Sequence, residues 1–145
     1  MVLDTNVLSE LMRTTPDARV VAWARDVPPA LVFTTSISVA EVRFGVARLP
    51  LRRRRDRLNE AADEVFGAFA DHVLAFDAAA ATEYADVVVA REQSGAPIGG
   101  FDAQIAAICR VHRASLATRN VDDFGALGLT LIDPWGIDPW AATNV

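Results

Sequence analysis

The chain has 145 residues, of which 52% are hydrophobic, and a formal net charge of -5, which suits one domain spanning residues 1–145 and argues against a protein that coats nucleic acid by bulk electrostatics. No apolar run reaches the length that crosses a bilayer, and the N-terminus lacks a signal-peptide pattern. We therefore expect a soluble, cytoplasmic protein without membrane partners.

Short apolar, β-branched runs alternate with helical patterns along the chain. The predicted strands are residues 2–3, 31–35, 73–76, 115–118 and 129–132. Between the second and third strands, apolar residues from Leu58 to Phe69 follow the i, i+3, i+4, i+7 spacing of a one-sided helix.

Two further helices follow the third predicted strand. Asp77 is the predicted N-cap of a helix that runs to about Gln93, and another helix is predicted from residue 100 to about residue 113. Strands joined by helical crossovers form parallel sheets covered on both faces. We predict an α/β fold, a three-layer α/β/α sandwich around a mainly parallel sheet, ending in an irregular tail at 133–140 whose tryptophans pack on the body or on another chain.

Acidic residues recur where the predicted strands end. Asp4 follows the first strand, Glu41 lies in the predicted first turn of the helix after the second strand, and Asp102 opens the last helix. Asp122 and Asp123 follow the fourth strand. In open α/β sheets ligands bind at this carboxyl edge.

Two interpretations of these acids remain open. As helix caps, Asp4 and Asp102 suit the positive ends of helices, SVAE at 38–41 fits a capping box, and NVDD at 120–123 resembles one. As a cluster, the carboxylates would raise one another's pKa values and oppose folding unless a cation neutralised them. Oxygen ligands without histidine or thiolate favour Mg²⁺ or Mn²⁺.

Other catalytic templates fit poorly. His72 and His112 lack any recognisable nucleophile spacing, and no phosphate-binding glycine loop follows a strand. Chemistry without a histidine base would depend on a water activated by a metal, as in phosphodiester hydrolysis.

Four segments resemble the motifs of PIN-domain proteins in the same order. They are VLDTN at 2–6, SVAEVRFG at 38–45, FDAQIAA at 101–107 and ATRNVDDF at 117–124. The chain looks most similar to the VapC toxins of bacterial toxin–antitoxin pairs and to the related FitB group. The resemblance implies a PIN-like sandwich with a sheet of four to five strands.

The resemblance also implies an activity and partners. It implies an endoribonuclease that uses one or two Mg²⁺ or Mn²⁺ ions to hydrolyse RNA phosphodiester bonds, leaving a 5'-phosphate and a 3'-hydroxyl, and that is inhibited by a cognate VapB-type antitoxin. The protein would be a homodimer and would meet DNA only indirectly, through the antitoxin. The alternative is a FitB-like subunit with weak or no nuclease activity that acts mainly in a DNA-binding repressor complex.

Carried over by position, Asp4, Glu41 and Asp102 match the three principal acids of the family. The fourth acid falls on Asp123, with Asp122 as a neighbouring alternative. All four would act in catalysis as metal ligands.

The accompanying polar positions of the family fall on Thr5, Asn6, Thr118 and Asn120. In the absence of a site, these residues would serve as turn formers, a strand residue and a helix cap.

A basic run at 52–57 contains five of the fourteen arginines, and the chain has no lysine. The family resemblance places the antitoxin against this part of the chain, and Arg53, Arg54 and Arg55 are candidates for contact with antitoxin or RNA. The alternative is an ordinary solvated helix face.

Overall fold

The computed structural model describes residues 1–136. Helices and very short strands alternate in this part of the chain. In order, they are β1 (Val2–Leu3), α1 (Thr5–Leu11), α2 (Ala18–Asp26), a 3₁₀ turn (Pro29–Leu31), β2 (Thr34–Thr35), α3 (Ser36–Ala47), α4 (Arg53–Ala68), β3 (Val73–Leu74), α5 (Ala78–Gln93), α6 (Gly100–Val111), β4 (Leu116–Ala117) and β5 (Leu131–Ile132).

All strand pairings in the described chain are parallel. β4 lies between β1 and β5, and β2 pairs with β3. Phe33, just before β2, joins the two groups because it bridges to Val2 and its backbone carbonyl accepts from Leu3 N at 2.8 Å. The strand order is therefore β3-β2-β1-β4-β5, which confirms the predicted parallel sheet of four to five strands.

Neighbouring residues of each central strand face opposite sides of the sheet, as the period of a strand requires. Val2 and Leu116 pack into a core with α5 and α6, whereas Leu3 and Ala117 pack into a core with α1 to α4. Burying one such Val or Leu contributes about 1.5 to 3 kcal/mol. Two cores on the two faces confirm the three-layer sandwich.

The long helices agree with the sequence pattern. α4 buries Ala62 and Phe66 on its predicted apolar face. Asp77 caps α5, because its side chain accepts from Ala80 N at 2.9 Å. α6 begins at Gly100 as predicted and ends two residues short of the predicted end at 113.

The predicted strand at 31–35 is wrong in its first part. Pro28 and Pro29 favour a tight turn, and Leu31 N and Val32 N donate to their carbonyls in a 3₁₀ pattern, so that β2 is confined to Thr34–Thr35. The other predicted strands are also shorter than expected, except the first.

Two local predictions at helix starts are corrected. The capping box at 38–41 does not form, because Thr35 is the N-cap of α3 and its hydroxyl accepts from Ser38 N at 3.0 Å. Glu41 therefore lies in the second turn of α3, not the first. No helix follows the predicted cap at 120–123, where the described chain makes successive turns.

Helix α2 was not predicted. It contains nine residues and buries only Val20, although its apolar and charged residues lie on different faces. Asp17 starts it by accepting from Arg19 N at 2.9 Å.

The tail prediction is met where the structure describes it. Trp135 is buried in the core of α1 to α4, and the Arg119 guanidinium lies 5.4 Å from its ring centroid. Trp140 lies outside the described residues. Within residues 1–136, no helix combines the length and the apolar character needed to cross a membrane.

Candidate functional site

A groove of about 830 Å³ opens at the carboxyl edge of the sheet. The strands β2 and β3 lie on one side of β1, and β4 and β5 lie on the other side. The strand order therefore reverses at β1, and the groove lies at this point. This is where open α/β sheets bind ligands. Asp4, Glu41 and Asp102 line it together.

Asp4 is buried, and its carboxylate accepts three hydrogen bonds. Oδ1 accepts from Thr5 N at 2.7 Å, which makes Asp4 the N-cap of α1. Oδ2 accepts from Asn6 Nδ2 at 2.8 Å and from Thr118 Oγ1 at 2.7 Å. Burial nevertheless raises the pKa of Asp4, and the charge of Asp123 adds to the effect. Asp4 is therefore both the N-cap of α1 and an acid that lines the groove.

Thr118 and Asn6 tie the end of β1 to the end of β4. Asn6 Nδ2 also donates to Thr118 Oγ1 at 3.1 Å, and Asn6 Oδ1 accepts from Arg119 N at 3.2 Å. The Thr118 hydroxyl accepts from Asn120 N at 3.0 Å. Asn120 thus contributes its backbone N–H to this network. The residue is exposed and lines the groove.

Glu41 reaches the same groove from α3. The Thr5 hydroxyl donates to Glu41 Oε2, which links the first helix to the third. Burial raises the pKa of Glu41, and the nearby charge of Asp4 raises it further.

Asp102 lies in the first turn of α6 and faces the other acids. Burial raises its pKa to about 6, helped by the negative charges of Asp4, Glu41 and Asp123. Asp122 is absent from the causes of this shift. The charges of Asp4, Glu41 and Asp123 therefore all act on Asp102 at one edge of the sheet.

The donor chemistry suits a hard divalent cation. Carboxylate oxygens are the ligands that Mg²⁺ and Mn²⁺ prefer, and a cation would offset the mutual repulsion. Within residues 1–136, however, no three Asp, Glu, His or Cys side chains are placed so that they could hold a metal ion together. The residues fit such an ion by chemistry and location, and a finished ligand shell requires side-chain adjustment.

The predicted site residues are brought together unequally. The groove is lined by most of them, namely Asp4, Thr5, Asn6, Glu41, Arg54, Asp102 and Asn120. Asp123 is exposed beside it, and neither Arg53 nor Arg55 lines it.

Sequence reasoning missed Glu10 and Arg13, which also line the groove. Glu10 is buried and accepts from Asp17 N at 2.7 Å and from Arg13 Nη1 at 3.2 Å. The signal was a polar stripe at 6, 9, 10 and 13, which is the i, i+3, i+4, i+7 spacing of one helix face.

We predict that Asp102→Asn stabilises the metal-free protein near neutral pH. The folded-state pKa of Asp102 lies above its ordinary value of 3.8, so this carboxyl group lowers stability progressively as the pH rises from about 4, fully above about 6, and not at all below about pH 4. After allowance for solvent screening, the gain is on the order of 1 kcal/mol at pH 7.5, or about 3 °C in Tm.

Thermal unfolding in EDTA at pH 7.5 and pH 4 checks this prediction. Asp122→Asn is the matched control, since it removes one exposed charge of the same chain. Equal Tm values for the two variants at pH 7.5 would contradict the proposed repulsion.

The fold and groove define an α/β protein with an acidic site at the switch point of a parallel sheet. The family model of the PIN domain matches residues 1–128, and the chain belongs to the PIN-domain family.

Within that family, the similarity to toxins extends over nearly the whole chain. The chain is 42% identical to VapC ribonuclease Y4jK of Sinorhizobium fredii over 136 residues, 93% of this chain and 97% of that protein. It is 35% identical to toxin FitB of Neisseria gonorrhoeae, covering 93% of this chain and 98% of that one. The solved structure of FitAB bound to an IR36 DNA fragment matches with a TM-score of 0.88 at 35% identity, covering 94% of this chain and 96% of that chain.

Proposed function

We propose that this protein is the toxin of a type II toxin–antitoxin pair and a Mg²⁺- or Mn²⁺-dependent endoribonuclease. The observation that carries the proposal is the convergence of Asp4, Glu41 and Asp102 on one groove, with pKa values raised by burial and by the charges of neighbouring acids. The similarity to a VapC ribonuclease supports the reaction class. Cleavage of RNA by partner-free protein, with and without divalent metal, tests it.

Four acids would hold the metal in this proposal. They are Asp4, Glu41, Asp102 and Asp123. A bound divalent cation would supply Lewis acidity toward the scissile phosphate and the attacking water. The choice of Asp123 over Asp122 is supported by its charge, which raises the pKa values of both Asp4 and Asp102.

The surrounding residues orient these acids. Asn6 and Thr118 direct hydrogen bonds to one oxygen of Asp4, and Thr5 directs its hydroxyl to Glu41. These hydrogen bonds hold the carboxylates of Asp4 and Glu41 at the groove, which limits the side-chain adjustment that metal binding would require.

The RNA backbone would be held by cations at the rim. Arg54 lies in the first turn of α4 and lines the groove, whereas Arg53 beside it does not. Arginine presents a planar fork that matches phosphate oxygens. Only part of the basic run is therefore expected to contact substrate.

We predict that Arg54→Gln weakens RNA binding about three- to tenfold and reduces the slope of log affinity against log salt by about 0.7, because one phosphate contact is lost. Fluorescence anisotropy of a labelled single-stranded RNA, titrated over NaCl concentration on an Asp102→Asn background, measures both quantities. Arg53→Gln is the matched control and should bind as its parent does.

Two results would contradict this prediction. Equal losses in Arg53→Gln and Arg54→Gln would point to bulk charge instead of a groove contact. Unchanged binding when Arg53, Arg54 and Arg55 all become glutamine would exclude the run from RNA binding.

The proposed macromolecular partner is a cognate VapB-type antitoxin that inhibits the toxin, and the protein is proposed to be a homodimer. DNA would be reached through the antitoxin, as suggested by the similarity to the FitAB complex bound to DNA. That similarity also favours the second candidate function, a weakly active or inactive subunit of a DNA-binding repressor complex. Sizing at several concentrations tests the dimer.

A further inference from the structure

Arg91 is a buried cation that the proposed chemistry leaves unused. It lies in the last turn of α5 and is 6% exposed. Its Nη1 donates to the backbone carbonyl of Gly125 at 2.8 Å. Within residues 1–136, its Nε has no hydrogen-bond partner and no carboxylate lies within ion-pair distance of it. Burying a charge without an ion pair is costly. The hydrogen bond to Gly125 therefore indicates the role of Arg91.

That contact falls on the loop that carries Asp123. Among the described residues, the carboxylate of Asp123 accepts no hydrogen bond, and its backbone N donates to Asn120 O at 3.1 Å. Its position therefore depends on how the loop backbone is held. Phe124, the next residue, is 1% exposed and packs in the same core as Val87 of α5.

The loop also contains strain that needs support. Ala126 has a φ of 62°, a left-handed conformation that is unfavourable for a residue with a Cβ and persists only where surrounding contacts enforce it. Gly125, one residue earlier, lies next to the guanidinium, since a Cβ there would be in van der Waals contact with Arg91 Nη1 at 3.7 Å and with Asp122 O at 3.4 Å. Two successive anchors, the Phe124 side chain and the Gly125 carbonyl, thus fix this backbone against α5.

We propose that Arg91 is a positioning residue for the fourth acid: its hydrogen bond to Gly125 holds the 121–126 loop so that Asp123 faces Asp4 and Asp102. This inference rests on the proposed function, because it assigns Asp123 to the site. The charged guanidinium makes a stronger hydrogen bond to a carbonyl than a neutral donor could, and its long side chain spans from α5 to the loop.

The test compares Arg91→Met, Arg91→Lys and Asp123→Asn with the unaltered protein. Amide hydrogen exchange in metal-free protein reports loop opening without any cleavage assay. For Arg91→Met we expect exchange at 121–126 to accelerate about tenfold or more while amides of 105–109 in α6 keep their protection. Arg91→Lys keeps a charge and a donor, so its loop exchange rate should lie between those of the unaltered protein and Arg91→Met.

Kinetics then connect the loop to the site. In Mn²⁺ we expect Arg91→Met to lower kcat about tenfold with KM within about twofold, since a misplaced ligand affects the chemical step more than binding. Adding Arg91→Met to Asp123→Asn should cause no further loss, because both changes remove the same contribution.

Two outcomes would overturn the proposal. One is loop exchange unchanged in both Arg91 variants. The other is loss of protection in the loop and in α6 together in both variants, which would make Arg91 a general stability residue. If the unaltered protein cleaves no RNA, the proposed function fails, whereas the exchange measurement still decides whether Arg91 holds the loop.

Discussion

Asp102→Asn is expected to lower metal-dependent RNA cleavage by at least about 100-fold while the protein stays folded. Asp102 lines the groove from the first turn of α6, and its carboxylate interacts with the charges of three other acids. Asparagine keeps the shape and one oxygen but removes the negative charge that a cation needs. Asp102 makes no side-chain hydrogen bond within the described residues, so its replacement breaks no local structure.

Asp4→Asn should be equally inactive but less simple to interpret. The Asp4 carboxylate accepts hydrogen bonds from Thr5, Asn6 and Thr118. The NH₂ group of asparagine would face either the Thr5 donor or the Asn6 and Thr118 donors, so that hydrogen bonds would be lost. Asp102→Asn is therefore the sharper test. Asp122→Asn is the control that should retain activity, and an Asp102→Asn protein with native Tm and full activity at matched Mn²⁺ would remove Asp102 from the site.

The second large effect is thermal stabilisation by Mn²⁺. A ligand that binds only the native state stabilises it by RT ln(1 + [L]/Kd), about 2.7 kcal/mol when its concentration is 100 times Kd. For a chain of this size the gain corresponds to a rise in Tm of about 5 to 10 °C. The same ion relieves repulsion among the acids, so Asp102→Asn should lose its stability advantage when Mn²⁺ is present.

The Mn²⁺ effect separates a metal site from a set of helix caps. Differential scanning fluorimetry over a Mn²⁺ titration measures it, with the Asp4→Asn/Asp102→Asn double variant as the control that should not respond. If the unaltered protein shows no rise in Tm at millimolar Mn²⁺, the acids serve as caps, as Asp4 and Asp77 visibly do.

The long helices were predictable because periodicity accumulates over many residues. α4 and α5 each contain sixteen residues, so the one-sided apolar spacing of α4 and the alanine-rich run of α5 after its Asp77 cap were readable. The strands contain two residues each, too few for an alternating pattern, and their pairing depends on contacts distant in the chain. α2 was missed although it is amphipathic, because it contains only nine residues and buries only Val20.

Much of the candidate site could be predicted as well. The positions of Asp4 and Asp102 after a strand and at a helix start indicated the edge of the sheet, and the family resemblance supplied their roles. The spacing of SVAE at 38–41 predicted a capping box that does not form, because Thr35 at the end of β2 is the N-cap of α3. The polar stripe of α1 could have indicated Glu10, but its hydrogen bond from Asp17 N depends on the turn between α1 and α2, which no local motif indicates.

The most direct measurement is cleavage of total bacterial RNA by purified, partner-free protein with Mn²⁺, with Mg²⁺ and with EDTA, beside Asp102→Asn and Asp122→Asn. We expect discrete fragments with 5'-phosphate ends that require the metal, persist in Asp122→Asn and vanish in Asp102→Asn. No cleavage under any of these conditions, by protein that is folded and stabilised by Mn²⁺, would contradict the ribonuclease assignment and favour the repressor-complex subunit.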